Sequence, residues 1–150
     1  MILGPSIYYI AAQEHVAAAR ELYNSGRYAL AHYVAGLAVE CLFRAYRCRI
    51  DKTFDERHCL QELAKAGRFF SIVPPGQSQR ISAALSVIVS QWQNGHRYRS
   101  EASFRRFLVD LRLYLGIRGD IVKENTRRVV DAAFEIITLG VMRWTNSLQK

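Results

Sequence analysis

Apolar positions recur along this chain at intervals of three and four, the spacing of one helix face. The pattern is densest from Arg27 to Arg49, RYALAHYVAGLAVECLFRAYRCR. Tyr28, Ala31, Ala35, Ala38, Leu42 and Ala45 share one face, and Leu30, Val34, Leu37 and Cys41 form a second apolar line beside it. A helix apolar over most of its circumference is buried on several sides, so this stretch predicts the central helix of a domain. Ser25-Gly26 separates it from what precedes. Its small residues, Ala29, Ala31, Ala35, Gly36 and Ala38, allow neighbouring helices to approach closely. His32 and Glu40 interrupt the apolar surface. Burying either alone is costly, so each is expected to reach a hydrogen-bond partner or the domain edge.

The same periodicity places the other elements. Pro5-Ser6 starts a first helix, Ile7 to about Asn24, with Ile10, Ala11, Ala18 and Leu22 as its apolar stripe. The short turn at Gly26 makes the first two helices antiparallel neighbours. Asp51–Arg57 is polar and reads as a loop. His58–Gly67 reads as a short helix with Leu60, Leu63 and Ala64 facing in, and Phe69–Gln79 as a turn-rich connection. Ser78 is expected to cap a third long helix, Gln79 to Gln93, carrying Ile81, Leu85, Ile88, Val89 and Trp92. Ser100 is expected to cap a helix reaching about Leu115, with Phe104, Phe107, Leu108, Leu111 and Leu115 inward. Asp120 is expected to cap the last helix, Ile121 to Asn146. Strand-like alternation is scarce. The 150 residues therefore read as one all-α domain, an up-and-down antiparallel bundle with an extra helix before the closing one.

Composition adds charge. The net charge is +8, and 17 of the 21 basic residues are arginine. Arginine forks onto phosphate and carboxylate, which favours an anionic partner such as RNA or a nucleotide. A basic protein whose arginines pair with its own acids fits the same count. Cys41, Cys48 and Cys59 form no CxxC, and the first two stand two helical turns apart, so free thiols in a reducing compartment are expected. The N-terminus lacks a basic leader region, and the apolar run Ala132–Met142 contains Glu135 and is too short to span a bilayer. A cytoplasmic protein without a membrane partner is expected.

The compact run Asn94-Gly95-His96-Arg97-Tyr98-Arg99 is the leading candidate site. Arg97 and Arg99, with Arg105 on the next helix, can hold phosphate, and Tyr98 can stack on a base. Arg106 and Arg112 extend the basic neighbourhood. In the competing reading Tyr98 plugs the bundle end and Arg97 pairs with Glu40 or Glu101. His58 is a general-base candidate or a loop anchor. The four histidines show no metal-ligand spacing, and there is no phosphate loop or dinucleotide fingerprint, so no metal or cofactor is expected.

The order of these features resembles the HEPN domain family. Its hairpin pattern is matched by Gly26, Tyr28, Ala31, Ala35, Ala38, Glu40 and Arg44-Ala45, its H-x-L by His58 and Leu60, and its R-Y element by Arg97-Tyr98. The resemblance covers residues 7 to 100 and fades where the extra helix enters. It implies a helical bundle that commonly dimerises. Its members are ribonucleases or RNA-binding toxins, often paired with a small nucleotidyltransferase, or non-catalytic binding modules. The nuclease members use a late R-x4-6-H pair without metal. Here the last histidine, His96, has no arginine at that spacing, since Arg80 is sixteen residues upstream. Arg27 and His32 have the spacing but lie at the start of the second helix. The resemblance thus implies an RNA- or nucleotide-binding accessory domain in a defence or toxin–antitoxin setting, without the standard nuclease pair. The alternatives are a metal-independent ribonuclease with a nonstandard site, using His96 or His32, and a protein-interaction module for a nucleotidyltransferase-type partner.

Overall fold

A helix that must be covered on several sides sets the architecture. The computed structural model describes residues 3–51 and 58–145. Among these residues the chain forms α1 (Pro5–Asn24), α2 (Tyr28–Ile50), α3 (Leu60–Ala66), α4 (Ser78–Val89), α5 (Glu101–Asp110) and α6 (Ile121–Trp144), with no strand. It is an all-helical bundle. The predicted loop over Asp51–Arg57 lies, beyond Asp51, outside the described residues, as does the expected helix end at Asn146. No described helix is long and apolar enough to cross a membrane.

The predicted central helix is central. α2 packs against α1, α6, α3 and α5, while α4 packs against α6. Ala31, Ala35, Ala38, Val39, Leu42, Phe43 and Ala45 are completely buried. Gly26, at φ 80°, turns α1 back onto α2. The amides of Gly26 and Arg27 donate to the carbonyls of Tyr23 and Leu22, the closing bonds of a left-handed helix stop. Gly36 gives way to the Trp92 indole, which a side chain there would strike. The indole N–H donates to the Tyr33 carbonyl at 3.0 Å.

Several boundaries differ from the periodicity. In α1 the buried line is Ala12, Val16 and Ala19, and Ile10 is 53% exposed. α4 stops at Val89 rather than Gln93, and Ser78 is its first residue rather than a side-chain cap. A turn then swings Trp92 inward, its amide bonded to the Ile88 carbonyl at 2.8 Å. Gly67 caps the C-terminal end of α3, as expected, and the left-handed residue follows it at Arg68, φ 52°. α5 ends at Asp110, short of Leu115. Arg112 takes a left-handed conformation there, φ 57°, with Leu113 bonded back to Leu108 and Arg112 to Val109. The helical phase is lost at that point. Phe104 and Leu108 are therefore buried, whereas Leu111 and Leu115 face water.

The extra helix α5 has a structural task at the start of α2. Arg27, the N-cap of α2, supplies no side-chain cap, and the Ala29 amide instead donates to Glu101 Oε1 at 2.7 Å. Ala29, Phe104, Leu108 and Val122 form a small second core around this junction. The expected caps Ser100 and Asp120 are in place: Ser100 accepts from the Ser103 amide, and Asp120 from the amides of Val122 and Lys123. Because α2 meets Trp92 with no room to spare, Gly36→Val is expected to destabilise the fold by about 2–3 kcal/mol. Urea unfolding checks this, and the Trp92 emission should shift to the red as the indole is displaced.

Candidate functional site

The segment after α4 is built to present Tyr98. Asn94–Tyr98 forms a 3₁₀ turn in which the Gln93 amide donates to His96 Nδ1 at 3.3 Å. This locks the His96 ring inward, 3% exposed, and throws Tyr98 outward, 78% exposed. The Arg97 guanidinium lies over the Tyr98 ring, 4.8 Å from its centre, and Arg99 lies equally close over Phe107. Neither arginine has a carboxylate partner among the described residues. Glu40 and Glu101, the partners considered for Arg97, are engaged elsewhere, and Tyr98 does not plug the bundle end. Arg105 differs from its neighbours, since Asp120 holds it at 3.2 Å. Arg106 is exposed and carries no such pair.

His32 and His96, from different parts of the chain, come together. Their ring centres are 5.5 Å apart, and both pack on Phe104. His32 donates through Nε2 to Gln91 Oε1 at 3.1 Å. Its Nδ1 and His96 Nε2 are buried without a hydrogen-bond partner among the described residues. Burial pushes the His32 imidazole down to about 3, against the Gln91 hydrogen bond. Burial and the neighbouring Arg99 lower His96 to about 4. Both rings are therefore neutral at physiological pH and closed to solvent. Arg27 is exposed at the helix start, while the His32 that shares its spacing is fully buried.

A third constellation gathers on the outer stripe of α2. Glu40, only 4% exposed, accepts at Oε1 from Arg44 Nε and from His58 Nδ1, both at 3.0 Å. A carboxylate only accepts, so His58 presents a proton at Nδ1 and turns Nε2 away from Glu40. The His58 side chain is half-exposed. Two turns back on the same stripe, the Tyr33 hydroxyl feels the Arg97 guanidinium. Burial pushes this phenol up, while Arg97 pulls it down. The arrangement places an oriented imidazole and two guanidinium groups on the surface of one helix and the segment crossing it.

Among the described residues no group of three or more His, Cys, Asp or Glu side chains could hold a metal ion. The three cysteines are free, and burial drives the Cys41 thiol up to about 12, which makes it inert. Periodicity alone misses Tyr33, Gln91 and Glu101. Tyr33, Leu37, Glu40 and Arg44 do share one stripe of α2, and Gln91 falls three residues after the buried Ile88. No protein family, curated protein or solved structure matches the chain.

The two buried histidines give a pH dependence whose sign is fixed. Their folded-state values lie below the ordinary 6.5, so the unfolded chain takes up protons first. Their contribution is present above pH 6.5 and is lost as the pH falls toward 4. Urea unfolding at about pH 7, 6 and 5 should show stability falling, approaching about 1.4 kcal/mol per pH unit for each histidine. A His96→Asn protein should retain the slope of one histidine. A flat profile in the native protein contradicts the buried neutral pair.

Proposed function

We propose that the chain is a HEPN-like binding domain for single-stranded RNA or a nucleotide, acting as an accessory module in a defence or toxin–antitoxin setting. The observation that supports this reading is the exposed Tyr98 ring flanked by Arg97 and Arg99, neither neutralised by a carboxylate among the described residues. An exposed aromatic ring with one guanidinium group over it and another close by in the chain suits a base and its neighbouring phosphates. Arg106 extends the unpaired charge along α5, whereas the charge of Arg105 is balanced by Asp120. A homodimer and a nucleotidyltransferase-type partner belong to the same reading through the family resemblance. Light scattering and co-purification test those two features directly.

The expected outcome is that Arg97→Ala/Arg99→Ala weakens binding of a short single-stranded RNA by about tenfold or more at low salt. The slope of log affinity against log salt should fall by about 1.4. Tyr98→Ala should weaken binding by about tenfold, through lost stacking. Fluorescence anisotropy reads all three, and thermal melting should be unchanged because these side chains are exposed. Unaltered affinity in the double variant removes the site.

A second reading, a metal-independent ribonuclease, is favoured by the Glu40–His58 pair. There His58 Nε2 would take the proton of a ribose 2′-hydroxyl as its oxygen bonds to phosphorus and the 5′-oxygen leaves with a proton from water, a role that buried, neutral His32 and His96 cannot fill without opening. Cleavage of RNA in EDTA that disappears in His58→Ala supports this reading. Absence of cleavage by the native protein eliminates it.

A further inference from the structure

The turn between α5 and α6 encloses an open cavity of about 590 Å³ against the end of α1, a size that suits a small ligand. Tyr23 and Ile117 give it an apolar wall. Its charged lining comprises Arg118, Lys123, Arg127 and Arg128 against Asp120 and Glu124, an excess of two positive charges. Both carboxylates are held in ion pairs, Glu124 through both oxygens and Asp120 through Oδ1. Glu124 binds both Arg127 and Arg128, and Arg127 also reaches Asp131. Asp120 takes the first amides of α6 and the Arg105 guanidinium. Arg118 and Lys123 have no carboxylate partner among the described residues. The backbone amides of Arg118 and Gly119 also make no hydrogen bond among those residues.

We propose that this cavity binds the phosphomonoester of a nucleotide. Arg118, Lys123 and the turn amides would hold the dianionic phosphate, and Tyr23 would lie against the base. The charge excess equals the charge of the ligand, and the phosphate does not depend on the α6 terminus, which Asp120 already caps. The site is separate from Arg97 and Arg99, yet Arg105–Asp120 connects its rim to α5, the helix that begins beside Arg99. The phosphomonoester can thus belong to a free mononucleotide or to the end of an oligonucleotide lying along that edge.

The test is calorimetric titration of the full chain with AMP, adenosine and inorganic phosphate. AMP should bind, with adenosine and inorganic phosphate each weaker by about tenfold or more. Arg118→Ala/Lys123→Ala should lose about tenfold in AMP affinity, and Arg118→Gln/Lys123→Gln should lose as much with an unchanged melting temperature. Arg97→Ala/Arg99→Ala should leave AMP binding intact, so this site and the Tyr98 site fail independently. A 5′-phosphorylated oligoadenylate that binds more tightly than its 5′-hydroxyl form assigns the phosphate to a chain end. Equal binding of the two oligonucleotides assigns it to the free nucleotide. No binding of AMP to the native protein, or undiminished binding in both cavity variants, overturns the proposal.

Discussion

Burial of α2 on nearly every side is the constraint on which the rest of the molecule depends. A helix with so little wet surface cannot stand at an edge, so α1, α6, α3 and α5 must each cover part of it. Close approach is possible because the contact positions are small: Ala31, Ala35 and Ala38 are completely buried, and Gly36 admits an indole ring. The helix also needs a cap that its own N-terminus does not provide. Glu101 supplies it from α5, so the additional helix before α6 helps complete the central one.

The polar residues inside this cover are resolved in two ways. Glu40 is compensated by Arg44 and His58, which draws the start of α3 onto the flank of α2. His32 is compensated by Gln91 at one nitrogen and remains neutral. The same residue type thus acquires opposite chemistry by placement. His32 and His96 are packed among aromatic rings and resist protonation, whereas His58 is oriented by a carboxylate and open to water. Only the last arrangement suits proton transfer to an outside molecule.

Arginine is likewise partitioned. Arg20, Arg80, Arg105, Arg127 and Arg128 are held by carboxylates on the molecule itself. Arg97, Arg99, Arg106 and Arg118 are exposed and carry no such pair among the described residues. Arg27 and Arg68 are likewise exposed and unpaired among these residues, but most of the uncompensated arginines, Arg112 among them, lie on α5, the segment before it and the turn after it. Exposed ion pairs add little stability, so the consequence of this division is a surface field suited to an anion rather than a tighter fold.

The helices, the centrality of α2 and the caps at Ser100 and Asp120 were legible in the sequence, because periodicity and local hydrogen-bonding chemistry act within one turn of chain. The need of His32 and Glu40 for partners was legible for the same reason, since the cost of an unpaired buried polar group does not depend on where the partner lies. Which partners they would find was not. Gln91 and His58 are brought to them by packing across long stretches of chain, as Glu101 is brought to Ala29. The end of α5 also escaped the pattern: Leu111 and Leu115 continue the apolar spacing, but the left-handed turn at Arg112 breaks the helix and exposes them. In the Asn94–Arg99 run the residue types were readable from sequence, while tertiary structure decided that His96 enters the core and Tyr98 leaves it. A run of six residues has too little periodicity to fix which side chains point inward; that choice is made by the rings of His32, Phe104 and Phe107, against which His96 packs.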